Sequence, residues 1–267
     1  MPTTFFGWVG FLAREYGGLF LRGTGVTILI AISGTVLGFL LGLLVAIART
    51  IDVGPRASLW KRIPLKILHG IITVYIEVFR GTPMIVQAMV IFYGAQQALG
   101  IAMPRLFAAI FIVSINTGAY MAEIIRGGIF SVDKGQFEAA HAIGMTHWQT
   151  MTTVVLPQAI RNILPSVGNE LIVNIKDSSV LNVISVSELF FQAKSAAGAY
   201  YRYFEVYFII AVIYLILTLT VSRILRFIEQ KMDGPDNYVI HGSQSDSRAE
   251  IVVSRENAEE VEKRWNQ

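Results

Sequence analysis

GQFEAAHAIGMTHWQTMTTVVLPQAIRNILP, residues 135–165, decides how this chain is read. Between Glu138 and Arg161 it carries no Asp, Glu, Lys or Arg, so a plain hydropathy count would pass it as a membrane span. As a span it is poor. His141, Thr146, His147, Gln149, Thr150, Thr152 and Thr153 scatter polar groups through it, with Gly144 in the middle. At bilayer depth those groups would lack partners. The stretch therefore reads as two short helices hinged at Gly144 and lying flat at the membrane face, followed by a restart at Leu156-Pro157. A stiff element placed between two spans can receive force from a partner.

The rest of the chain supplies the spans. Of 267 residues, 54% are hydrophobic and 15% charged, with a mean hydropathy of +0.55. A soluble domain carries about 25% charged residues, so this is the composition of a membrane protein. Cysteine is absent, which excludes a disulfide framework, a thiolate nucleophile and a Cys-based metal site. Residues 1–232 hold 18 basic and 11 acidic side chains, whereas residues 233–267 hold 4 and 8. The basic body suits anionic headgroups, and no soluble basic face exists to bind nucleic acid. No cleaved signal is expected at the N-terminus.

Working outward in both directions, five spans are expected. Residues 1–22 are ring-rich but too broken by charge to cross, and read as a separate interfacial segment. Residues 23–48 contain no charge and exceed the roughly 20 residues that crossing requires. Gly34, Gly38 and Gly42 form a small-residue face there for close helix packing. Residues 49–66 carry five basic residues against Asp52 alone, which marks the cytoplasmic side and sets the N-terminus outside.

Span two covers about 67–97, tilted and kinked at Gly81-Thr82-Pro83, with Glu77 and Arg80 one helical turn apart. Span three covers 106–125, with Asn116 at the depth of Arg80 and Glu123 near the inner end. Span four runs from about 164 to 187 and holds Asn169, Glu170, Asn174, Lys176 and Asp177. Residues 188–205 form an external loop, and span five covers 206–222. The tail from 232 is acidic. It reads as disordered, with a linker at 242–247 and the composition for a weak helix over 247–265.

Taken with its neighbours, the opening stretch resembles the EAA loop of ABC importer permeases. The resemblance rests on Glu138-Ala139-Ala140, Gly144 and Leu156-Pro157. Phe79-Arg80-Gly81-Thr82-Pro83 with Gln87, Glu123 with Arg126-Gly127-Gly128-Ile129, Pro157-Gln158-Ala159 with Arg161, and Lys176-Asp177-Ser178-Ser179 are similar to the polar amino-acid uptake branch. It covers about residues 23–231.

The resemblance implies an all-α integral membrane protein of the type I importer permease fold. It would have a cytoplasmic coupling loop at about 127–160, sit in a prokaryotic cytoplasmic membrane, and be a transport subunit rather than an enzyme. It implies ATPase partner chains, a second permease subunit and an external amino-acid-binding protein. Glu138, Ala139, Ala140, Gly144, Leu156 and Pro157 would couple to the ATPase.

The residues bear on the chemistry independently. No G-x-x-x-x-G-K-[ST] occurs, so ATP and Mg must be held by partner chains, with no cofactor expected in this one. The four histidines are scattered without metal-ligand spacing. Intramembrane charge marks candidate substrate contacts. Lys176 and Arg80 suit a carboxylate, while Asp177, Glu77 and Glu123 suit an ammonium, with Asn116 and Ser178 completing hydrogen bonds.

Structural roles stand beside these. Glu77 could pair with Arg80 or Lys176, and Asn116 could join helices. Lys176 and Asp177 diverge on a regular helix, so either the helix is distorted or they face two walls. An ion-coupled carrier or channel would also explain such charges.

Overall fold

The computed structural model describes residues 2–50, 59–233, 239–241 and 250–252. Nine α-helices are found among them. Helix α1 (Phe5–Thr50) is followed by α2 (Leu59–Gly81), α3 (Met84–Leu99) and α4 (Arg105–Phe130). Then come α5 (Lys134–Ala142), α6 (His147–Gln149), a π-helical turn (Thr150–Val155) and α7 (Leu156–Asp177). A 3-10 segment (Ser178–Ile184) leads to α8 (Leu189–Tyr200) and α9 (Tyr203–Asp233).

Helices α1, α4 and α9 are long and apolar enough to cross a membrane, and α2 with α3 qualify together as a broken pair. Helix α7, with 22 residues, has the length for the remaining expected span. It falls short in apolarity because it carries Arg161, Asn162, Asn169, Glu170, Asn174, Lys176 and Asp177.

Several expectations change. Residues 1–22 are not a separate interfacial segment. From Phe5 on they form the first part of α1, whose 46 residues extend about 69 Å at the helical rise, more than a bilayer needs. Trp8, Leu12 and Phe20 are buried with Leu189, Ala193 and Ala197 of α8 and Val206 and Ile210 of α9. Trp8, Phe11, Tyr16 and Phe20 are packing rings, whereas Phe6 stays exposed. The expected external loop is correspondingly mostly helix, because α8 has this surface to fold against.

Span two is not one tilted helix. Helices α2 and α3 meet at 116° across Thr82 and Pro83. Pro83 has no N–H and restricts the residue before it, so the α-helical ladder stops there.

The glycine face of α1 packs within the subunit against α4. A Cβ on Gly38 would stand 2.7 Å from Thr117 Cβ, and one on Gly42 would stand 2.8 Å from the Ala122 nitrogen. Close approach of this kind is how helices associate where lipid competes equally for apolar surface.

The chain divides into two units, residues 1–223 and 224–267. In the second, Val239–His241 and Glu250–Val252 pair as antiparallel strands, with Ile240 opposite Ile251. The β-branched residues Val239, Ile240, Ile251 and Val252 favour the strand, so the weak helix expected over 247–265 is absent at 250–252. The rest of that expectation and the 242–247 linker lie outside the described residues.

Candidate functional site

The loop quoted at the outset begins with an N-cap. Asp133 accepts from the Gly135 nitrogen at 2.6 Å and opens α5. The helix ends at Gly144, whose φ of +83° is the left-handed conformation that closes a helix C-terminus. The Met145 nitrogen returns to the Ala140 carbonyl at 3.1 Å. Thr146 and Gln149 then form a reciprocal capping box that starts a new helix.

The hinge at Gly144 is as expected, but the restart at Leu156-Pro157 is not. Helical winding runs without interruption from His147 through α6, the π turn and α7 to Asp177. A proline ring inside a regular helix clashes with the carbonyl four residues back, here Thr153. The wider π winding over 150–155 accommodates it. Only α5 is therefore a separate short helix, and α6 is the first turn of the helix that carries Lys176.

Glu138, Ala139, Gly144 and Pro157 are exposed. Ala140 is buried and not available for close approach by a partner. Beneath the loop, Val132, Val155 and Ala159 form a small core with Phe137 and Met151. Phe130, Ile143 and Trp148 each expose three quarters or more of their surface around it.

The candidate substrate residues do not converge as expected. Glu123 is not a cavity group: Arg49 Nη1 donates to it at 2.5 Å and Arg126 Nη2 at 2.7 Å, joining the ends of α1 and α4. Ser178 is buried and donates to the Ile175 carbonyl at 2.9 Å, because the 3-10 winding starts at that residue. The Glu77–Arg80 pair does not form among the described residues. Both side chains are exposed, and the Arg80 guanidinium sits 5.5 Å from the Tyr120 ring centre.

Asn116 has a structural assignment. Its Nδ2 donates to Gln87 Oε1 at 2.9 Å and to the Phe79 carbonyl at 3.2 Å. Gln87 Nε2 donates to the Phe79 and Thr82 carbonyls, each at 2.9 Å. In a regular helix the Phe79 carbonyl would accept from residue 83, which is the proline. Two side-chain amides thus replace the missing N–H and hold the 116° break. Sequence reasoning had Gln87 only as part of a motif. Its spacing of four from Pro83 was the available signal.

Lys176 and Asp177 diverge toward two walls by helix geometry, yet still interact electrostatically. Lys176 lines a cavity of about 330 Å³ with Ser179, Phe190, Tyr207 and Tyr214. Asp177 interacts electrostatically with Glu170, two turns back on the same helix face, and Glu170 also has Arg80 as an opposite neighbour. Glu170 therefore joins the candidate set, and an i, i+7 spacing of carboxylates would have found it.

Two buried networks frame this region. Asn174 Nδ2 donates to Thr35 Oγ1 of α1 at 2.8 Å and to Thr117 Oγ1 of α4 at 3.0 Å. Glu188 caps α8 by accepting from the Phe190 and Phe191 nitrogens, and Tyr214 Oη donates to it at 3.1 Å.

With this geometry in place, known proteins can be compared. Residues 38–234 match the family described as "Binding-protein-dependent transport system inner membrane component". This chain belongs to that family. It is thus a transport subunit of the inner membrane.

Among its relatives is the glutamine transport system permease protein GlnP of Escherichia coli K12. The two are 39% identical over 215 residues, 80% of this chain and 93% of that protein. The arginine transport system permease protein ArtQ of Bacillus subtilis is 35% identical over 216 residues, 81% and 93% of the two chains. A solved amino acid ABC transporter with histidines superposes with a TM-score of 0.75 at 39% identity, covering 86% of this chain and all of that one. The MetNI methionine ABC transporter, at 20% identity and a TM-score of 0.66 over 82% and 98% of the two chains, shares the fold. The type I importer permease fold is therefore present.

Proposed function

We propose that this permease moves polar amino acids inward, driven by ATP hydrolysis on separate ATPase chains that bind ATP and Mg. A second permease subunit and an external amino-acid-binding protein complete the assembly, with the N-terminus outside and the C-terminus in the cytoplasm. One observation carries the reading. The exposed α5 ends at the Gly144 hinge, and from His147 onward one unbroken winding runs into the helix bearing Glu170, Lys176 and Asp177. Motion received at Glu138 and Ala139 can reach that helix through the core in which Phe137 of α5 packs against Val155 and Ala159.

The amino-acid class is supported by the relatives' names and by the unlike charges on α7, which match a zwitterion's two ends. A channel or ion-coupled carrier has no use for an exposed loop of this kind.

The test is Gly144→Asp and Glu138→Arg in the assembled transporter. Both variants should insert and remain stable. Each should bind the ATPase more weakly or hydrolyse ATP without uptake. Full substrate-stimulated hydrolysis together with full uptake would refute coupling through this loop.

A further inference from the structure

The start of α2 carries a surface that coupling does not use. Trp60, Ile63, Ile67, Ile71, Val74 and Val78 recur every three or four residues, and all are exposed, Trp60 by 88%. They form one continuous stripe about 27 Å long at the helical rise. The opposite side of α2 is the packed one, where Ile72 and Ile76 are buried with Ala122 of α4.

Arg62 and Lys66 lie one turn apart on the flank of the stripe at its N-terminal end, and both are exposed. Among the described residues neither takes part in an ion pair. Within residues 49–66 the sequence offers them one acidic residue, Asp52.

We propose that this face binds an anionic phospholipid of the cytoplasmic leaflet. The phosphate sits on Arg62 and Lys66, Trp60 lies at headgroup level, and an acyl chain follows Ile63, Ile67, Ile71 and Val74. Charge complementarity selects the headgroup: two unpaired cations one turn apart suit a single phosphodiester. Side-chain size selects lipid over a second helix. Where this chain does pack helix on helix, it uses Gly34, Gly38 and Gly42 against α4. The α2 stripe is built of large or branched side chains with Gly70 as the one small residue among them, rather than a repeat of small residues that would let another backbone approach closely. A tryptophan and two cations at the same end of the stripe, on its opposite flanks, make the arrangement of an interfacial anchor.

The experiment uses the whole transporter in nanodiscs of phosphatidylglycerol and phosphatidylcholine, mixed equally. Lipids retained after mild delipidation are counted by native mass spectrometry. The intact protein should retain phosphatidylglycerol over phosphatidylcholine. Arg62→Gln or Lys66→Gln should each lower that preference about fivefold, the effect of one interfacial charge. A Glu15→Gln control, away from the site, should leave it unchanged. Equal retention by all variants would overturn the proposal. So would efficient disulfide formation between two copies carrying Ile67→Cys in this cysteine-free chain, which would show that a second permease covers the stripe. Coupling variants at Gly144 should retain the lipid normally, so failure here and failure of the transport reading are distinguishable.

Discussion

Asn174 on α7 and Thr117 on α4 stand 3.0 Å apart, amide nitrogen to hydroxyl oxygen, and the same nitrogen reaches Thr35 on α1 at 2.8 Å. All three side chains are buried. The glycine-packed pair α1–α4 is thereby tied to the helix that follows the Gly144 hinge. Motion of α7 must either carry this knot with it or pivot about it.

Asn174→Leu should therefore weaken the fold modestly and coupling more severely. Interhelical hydrogen bonds in membranes contribute about 0.6–1.7 kcal/mol, and the two threonines can turn to their own helix carbonyls. Thermal unfolding in detergent should shift down by a few degrees. ATP hydrolysed per substrate imported should rise. An unchanged ratio would show that the knot is passive.

The break between α2 and α3 should depend on Gln87. Gln87→Ala strands the Thr82 carbonyl and weakens support of the Phe79 carbonyl, a loss of about 1–3 kcal/mol for a buried unpaired group. Pro83→Ala restores a backbone N–H to Phe79. The double variant should recover part of the stability lost in the single one. Strict additivity in a double-mutant cycle would separate the two sites energetically.

The two walls beside α7 should respond differently to substrate. Glu170→Gln and Asp177→Asn remove neighbouring carboxylates, and should raise the KM for uptake most for amino acids with cationic side chains. Lys176→Gln alters the separate cavity at Tyr207 and Tyr214 and should affect cationic and neutral substrates alike. Identical profiles for all three variants would contradict the two-wall arrangement.

Topology can be checked by labelling single cysteines in this cysteine-free chain. Ala102→Cys and Ala199→Cys are exposed sites that a membrane-impermeant maleimide should reach from outside. Lys134→Cys and Arg223→Cys, also exposed, should react only after permeabilisation. External labelling at position 134 would reverse the orientation.

The hinge at Gly144, the small-residue face of α1 and the membrane character of the chain were legible without coordinates, because each follows from local chemistry. A left-handed turn calls for glycine, close helix approach calls for small side chains, and crossing a bilayer calls for a long uncharged run. The span boundaries were less legible. That α6 and α7 wind as one helix depends on a π turn absorbing Pro157, which propensity does not encode. Nor does the ring content of residues 1–22 reveal that α8 and α9 offer a packing surface.

The polar residues divide along the same line. Sequence alone placed Asn116, Glu123, Lys176 and Asp177 on membrane helices, where unpartnered polar groups are costly and so must serve some purpose. Which partner each meets is a matter of helix rotation and depth, and one strand of sequence carries neither. Tertiary packing turned Glu123 toward Arg49 and Arg126, Asn116 toward Gln87 at the proline break, and Lys176 toward the cavity at Tyr207 and Tyr214. A buried hydrogen bond takes whichever partner lies within about 3 Å, and only the assembled helices set that distance.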